Sequence, residues 1–263
     1  IAYKDKILIL TPIHNVAGIL VRFSNLLKGI TYPHELISIA FGEDCSTDAT
    51  LSVAKSSAID LQKSFPSVKV FHFNLTGQIK GPWNRIHNQY LQLPRRKHLA
   101  QVRNMLLKSS LEKEHKWVLW IDSDISFLPP NIIELLLSSK RDIVVPLCVY
   151  QDGSKKRVFD KNTWRETNYS LMKQKDMKKD ELMLEGYGTI LRLYLSDLRA
   201  EGRVVPIDGV GGCTLLINAD LHRKGLEFPE TILDHHIETE GLAKLAKRMG
   251  WGVYGMPYVE VFH

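Results

Sequence analysis

The sequence predicts an α/β protein: a mostly parallel sheet with helices on both faces, built as one domain over residues 1–263. Two observations carry this. Apolar strand-like runs alternate with segments of helical apolar spacing along most of the chain. Polar residues then gather where the strands end, at Thr11–Asn15, Gly42–Asp44 and Asp122–Asp124. That carboxyl edge is where open α/β sheets bind ligands.

The elements follow in order. Lys6–Ile13 reads as a buried strand, and 16–28 has helical apolar spacing with Gly29 as its stop. A second strand runs from about Leu36 to Phe41. Ser46, Thr47 and Asp48 then supply a capping residue and an acidic first turn for a helix. "VKVFHFN" is a third strand, "HLAQVRNMLLKSSLEKE" a helix and "KWVLWI" a fourth strand. "PPNIIELLLSS" starts a helix at its prolines, and "DIVVPLCVY" is again a strand. Between about 151 and 203 the sequence becomes polar and Lys-rich. Its apolar residues are too scattered for a separate core, so it is expected to be an insertion or lobe over the site. "DGVGGCTLLINADL" returns to a strand, "HHIETEGLAKLAKRMGW" is an amphipathic helix, and "GVYGMPYVEVFH" holds the last strand.

With 44% apolar and 24% charged residues the composition is that of a globular protein, and no run approaches the roughly 18 apolar residues of a membrane span. The N-terminus lacks both an initiator Met and a signal-peptide cleavage site, so any targeting segment is expected upstream. A net charge of +6 and a pI near 9.1 suit an anionic partner: nucleic acid, a membrane surface or a phosphorylated small molecule. The basic clusters at 93–98, 153–157 and 173–181 carry no aromatic interleaving, and nothing specific points to nucleic acid. Cys45, Cys148 and Cys213 are too dispersed for a zinc site of usual spacing or a disulfide scaffold. Asn74 and Asn168 each open an N-x-S/T sequon.

The most informative segment is "WIDSDI". Asp122 and Asp124 end the most apolar strand, and in an extended segment residues i and i+2 point the same way. Two carboxylates on one side repel unless a cation sits with them, and oxygen donors select a hard divalent ion such as Mg²⁺ or Mn²⁺. Such an ion can neutralise a departing diphosphate. A D-x-D elsewhere often does no more than cap a turn, but here other strand ends add parts of a nucleotide site. Glu43 and Asp44 stand where a carboxylate can accept hydrogen bonds from a base or ribose. Arg103 lies on an otherwise apolar helix and needs either a structural carboxylate or a substrate phosphate. Asp208 sits beside glycines that admit close backbone approach. Glu238 and Glu240 can serve a helix dipole or a sugar.

The strand, "QVRN", "WIDSDI" and "ETEGLAKLAKRMGW" resemble GT-A glycosyltransferases that use a nucleotide sugar. More narrowly, "LILTP", "YPHELI", "RNMLL", "DSDI", "EGYG", "DGVGG" and "ETEGLAKLAKRMG" resemble the fungal Golgi mannan-polymerase (Anp/Van-type) α-mannosyltransferases, in order along nearly the whole chain. The resemblance implies a retaining, α-1,6-type transfer of mannose from GDP-mannose, with Mn²⁺ or another divalent cation, to the α-mannoside of an N-glycan. It also implies a type II Golgi membrane protein, anchored by a segment absent here, working with other mannosyltransferase subunits. By it Asp124 is the direct metal ligand, with Asp122 near the ribose or a metal-bound water and His263 a further metal ligand. Thr11, Pro12 and His14 then line the nucleobase pocket, and Glu43 or Asp44 holds the base or ribose. Arg103 faces the donor. Asp208, Glu238 and Glu240 serve the sugar end by positioning and charge stabilisation. Two other readings remain open: a sugar-binding scaffold subunit with little turnover, and a metal-dependent nucleotidyltransferase or phosphohydrolase.

Overall fold

A computed structural model describes residues 3–75, 89–183 and 191–263. The "EGYG" motif at 185–188 lies outside them. The nine-stranded main sheet comprises β1 (Lys6–Ile13), β2 (Ile37–Asp44), β3 (Ser67–Phe73), β4 (His115–Ile121), β5 (Ile143–Asp152), β6 (Lys155–Val158), β9 (Val205–Pro206), β10 (Thr214–Asn218) and β11 (Tyr254–Phe262). Its order is β3-β2-β1-β4-β10-β5-β11-β9, with β6 hairpinned onto β5. The half β3-β2-β1-β4 is parallel, as the alternation predicts, and so is the β5–β11 pair. β10 runs antiparallel to both β4 and β5, so the sheet is mixed. The chain reaches β10 from the lobe, not through a crossover helix, and apolar periodicity does not encode that change of direction.

Helices cover both faces. On one, α1 (Leu20–Lys28), α2 (Thr50–Leu61) and α4 (Ile132–Ser138) pack Phe23, Leu27, Ala54, Leu61 and Ile133 onto the odd-numbered residues of β1. On the other, α3 (Gln89–Ser110), α6 (Ala219–Arg223) and α7 (Glu238–Arg248) pack Leu106, Leu221, Leu242 and Ala246 onto Leu8, Leu10 and Trp120. α1 starts later than its apolar spacing suggests. The backbone N–H of Val16 is taken by Thr50 Oγ1, and 16–19 form a turn. α3 starts earlier and carries Pro94, which costs one intrahelical bond.

Within the expected insertion, 151–158 complete β5 and form β6 of the main sheet. The rest of its described residues form a lobe, with a two-stranded sheet of β7 (Trp164–Glu166) and β8 (Arg192–Tyr194), and helix α5 (Asn168–Asp176). Trp164 and Arg192, both fully buried, root it against α7.

Candidate active site

Three strand ends meet at the carboxyl edge. After β4 the chain turns at once, Ile125 N–H donating to the Asp122 carbonyl, so Asp122 and Asp124 do not share one extended face. Asp122 turns inward and accepts a 3.0 Å bond from Arg103 Nη2. Asp124 turns outward, half exposed, with Oδ2 3.2 Å from His263 Nε2.

His263 is held, not frayed. Its backbone N–H donates to the Val149 carbonyl at 2.9 Å, and its ring stacks on Phe159 with centroids 3.5 Å apart. The neighbouring Phe262 carbonyl accepts from Ser126 N–H, which ties β11 to the loop carrying the two aspartates.

Arg103 is the hub behind this pair. It donates through Nε to Glu238 Oε1 at 2.8 Å as well as to Asp122, and lies 5.5 Å from the ring centroids of both Trp120 and Phe228. Its Nη1 is buried without a partner among the described residues. Gly212 leaves the space it needs, since a Cβ there would overlap the guanidinium. Burial pushes the Asp122 carboxyl up to about 7. The Arg103 charge pulls the other way, and the Asp124 and Glu238 charges add to the rise.

The base-side residues sit on the neighbouring strand ends. His14 Nδ1 is 2.7 Å from the Asp44 carbonyl, and its Nε2 is 3.1 Å from Asn15 Nδ2. A proton on Nδ1 satisfies both contacts and fixes the exposed ring. Thr11 is buried with Oγ1 unpartnered among the described residues, and Pro12 pairs in register with Gly42. Glu43 is buried and already engaged, accepting from Ser46 N–H and lying 2.5 Å from His72 Nδ1. Burial would raise its pKa, but the Ser46 and His72 hydrogen bonds hold it below the usual value. Asp44 accepts from Leu75 N–H and meets His98 Nε2 at 2.6 Å.

The late acids divide. Glu238 is linked to Asp122 through Arg103, and holds a left-handed backbone (φ 55°) that costs a non-glycine residue free energy. Glu240 is tied elsewhere. Fully buried, it accepts from Arg96 Nη1 and Arg192 Nη2, each at 2.8 Å, and from Trp164 Nε1 at 3.1 Å. Burial works against its charge, yet the two guanidinium groups hold its pKa at about 2. Asp208 is also turned to the lobe, taking Glu166 N–H and an ion pair with Lys247.

Sequence reasoning missed two neighbours. Asp160 is buried in the lobe, hydrogen-bonded by Asn162 N–H and Thr163 Oγ1, and Gly211 leaves room for its carboxylate. Phe159 supplies the platform for His263. Both lie in a stretch whose polar composition masks them, and only their adjacency to the site in space marks them out.

Among the described residues no group of three or more His, Cys, Asp or Glu could hold a metal ion by itself. The Asp124–His263 pair fits one nonetheless, because a hard divalent ion commonly takes one or two protein donors and completes its shell from substrate phosphates and water.

Residues 1–231 match the sequence model of the Anp1 family. The chain belongs to the Anp1 family. It is 36% identical to the mannan polymerase complex subunit mnn9 of Schizosaccharomyces pombe, over 99% of this chain and 80% of that protein. It is 35% identical to the mannan polymerase II complex anp1 subunit of the same yeast, over 99% of this chain but 64% of that protein. It is 30% identical to the mannan polymerase I complex VAN1 subunit of Saccharomyces cerevisiae, over 99% and 60%. The chain thus spans less than two thirds of two of these relatives. Its fold is shared with GT-A glycosyltransferases. One is the Pyrobaculum calidifontis mannosyltransferase PcManGT in complex with GDP-Man and Mn2+, with a TM-score of 0.58 and 15% identity over 100% of this chain and 57% of that one. Another is GalNAc-T7 with UDP, GalNAc and Mn2+, with a TM-score of 0.62 and 16% identity over 98% and 43%.

Proposed function

We propose that this chain is the catalytic domain of a metal-dependent glycosyltransferase that moves mannose from GDP-mannose to an α-mannoside acceptor. The observation that carries the reading is the outward Asp124 with His263 against it, at the strand edge where the base-side loops also end. The names of the Anp1-family relatives support mannan as the product and other subunits of a complex as partners. We further propose retention of configuration, an α-1,6-type linkage, and residence in the Golgi lumen behind an N-terminal anchor outside this chain.

Asp124 and His263 would hold the divalent ion, which supplies positive charge to the diphosphate leaving group when bound. The chain's own residues do the rest. Arg103 orients Asp122 and is itself oriented by Glu238. His14, Asn15 and Pro12 shape the base side.

Calorimetric titration with GDP and UDP, each with and without Mn²⁺, tests the donor. Tighter binding of GDP that requires Mn²⁺ supports the reading, and metal-independent or base-indifferent binding overturns it. Mannose transfer to an α-mannoside then separates an enzyme from a scaffold subunit, which would bind without turnover.

A further inference from the structure

We propose that Asn168 is an N-glycosylation acceptor and Asn74 is not, and that Asn168 is modified before the lobe folds. The inference rests on the lumenal location proposed above, because that compartment is reached past the glycosylating machinery.

Asn168 opens α5 on the lobe surface and is exposed. The helix does not need its amide. Thr167 is the N-cap, its Oγ1 accepting from Ser170 N–H, and among the described residues the Asn168 side chain makes no hydrogen bond. Beside it Tyr169, Leu171 and Met172 are 55%, 47% and 63% exposed, a run of large apolar side chains on an otherwise charged surface. Sugar rings present apolar C–H faces, and a glycan rooted at Asn168 would lie across this run and keep it soluble.

The third sequon residue sets the timing. Ser170 is fully buried, its hydroxyl donating to Met183 Sδ at 3.9 Å and accepting from Gln174 Nε2 at 3.1 Å. An enzyme that reads the Asn and the hydroxyl together on an extended segment cannot reach both once α5 has formed. The modification must therefore come first.

Asn74 stands elsewhere. It follows β3 at the carboxyl edge of the sheet, and its Oδ1 is 3.3 Å from Cys45 Sγ. The next residue, Leu75, donates its N–H to Asp44 Oδ1 at 3.1 Å. These folded contacts form too late to block modification, but a glycan added there before folding would end over the base side of the donor site, so a bare Asn74 is what the proposed activity requires.

In the chemical step the Asn168 amide nitrogen displaces a lipid diphosphate from C1 of a lipid-linked oligosaccharide. One C–N bond forms, one C–O bond to phosphate breaks, and the amide gives up one proton, with no change of oxidation state.

The test is to secrete the chain from yeast behind a cleavable signal and map its glycans by endoglycosidase digestion and peptide mass spectrometry. One glycan is expected, lost in both Asn168→Gln and Ser170→Ala and kept in Asn74→Gln. An unmodified Asn168, or a glycan on Asn74, overturns the assignment. Folded chain from bacteria, incubated with oligosaccharyltransferase and lipid-linked oligosaccharide, should stay unmodified, whereas a 165–173 peptide is modified. Equal modification of the two overturns the timing. Protease protection of the native protein in sealed vesicles tests location separately. A protected protein bare at Asn168 sinks the glycan proposal, and an unprotected one sinks the lumenal reading while the secreted chain still decides the site.

Discussion

The acids at the end of β4 and the acids of α7 look alike in sequence, each a pair at i and i+2, and the structure uses them in opposite ways. Asp124 faces outward with one histidine beside it. Glu240 faces inward with two arginines and an indole N–H already in place. A carboxylate with every acceptor position filled is a structural tie, and one left half open can still receive a ligand. Glu238 lies between these cases, since its single guanidinium partner also reaches Asp122. The number of cations already spoken for separates scaffold from site.

The largest expected effect falls on the structural side. Glu240→Ala takes away the carboxylate that buried Arg96 and Arg192 share, which costs roughly 3–5 kcal/mol for a broken buried pair. A thermal melt should drop by many degrees, and limited proteolysis should open the lobe first. A melt within a degree of wild type would mean that Glu240 does not hold the lobe.

On the site side, Asp124→Ala should reduce Mn²⁺-dependent GDP affinity on the order of 100-fold, typical of losing one preorganised polar group at a reacting centre. Its melt should hardly change, because the side chain is half exposed. Unchanged affinity in Mn²⁺ removes the metal assignment. Phe159→Ala should produce a weaker version of the same loss by freeing the His263 ring. Glu238→Gln should lower turnover about tenfold, as for partners that orient a functional group, with GDP-mannose affinity nearly kept. Equal turnover would move Glu238 to the structural class.

Both acid pairs were legible in the sequence but the contrast between them was not, and the reasons are physical. Apolar periodicity places β4 and the carboxylates at its end, because burial on both sides of the sheet demands the run. It cannot say that the chain turns right after Asp122, so the two carboxylates diverge. The pattern "ETE" marks the start of α7 but not what its acids face, since Arg96 and Arg192 arrive from 144 and 48 residues away. Asp208 looks like a site acid because of its glycines. Those glycines in fact make room for Trp164, Asp160 and Arg103, whose side chains press against Gly209, Gly211 and Gly212.

Acidity should split the two regions. Burial holds His222 and His236 at about 4, below their ordinary 6.5, so the unfolded chain takes up protons first. Their contribution is complete above pH 6.5 and is lost as pH falls through about 4. Glu240, held at about 2 against an ordinary 4.5, adds a second loss below pH 4.5. Melts from pH 8 to 4 should fall mainly below 6.5, and His236→Gln should flatten that slope. Asp122 runs the other way. Raised to about 7, it takes up its proton in the folded chain before the unfolded one does, which offsets part of that loss. Asp122→Asn should therefore steepen the acid slope that His236→Gln flattens, and an unchanged slope would mean that Asp122 does not titrate in this range.

The smallest effect is expected at the basic strand β6, which carries Lys155, Lys156 and Arg157 beside the Phe159 platform. Lys156 pairs with Glu260 and Arg157 with Asp152, each at 2.5 Å, but the lysine and arginine side chains are about half exposed. Pairs of that kind are worth at most about 1 kcal/mol, so neutralising all three should barely move the melt. Their field can still reach an anionic donor or partner surface. At low salt it extends well beyond the roughly 10 Å of 0.1 M salt, and at 1 M it is confined to about 3 Å. The triple glutamine variant should therefore bind GDP-mannose or a partner subunit a few-fold more weakly at low ionic strength and equally well at high. A deficit that persists at 1 M salt would mean direct contact and would move β6 into the site. No deficit at any salt makes it an ordinary solvated face.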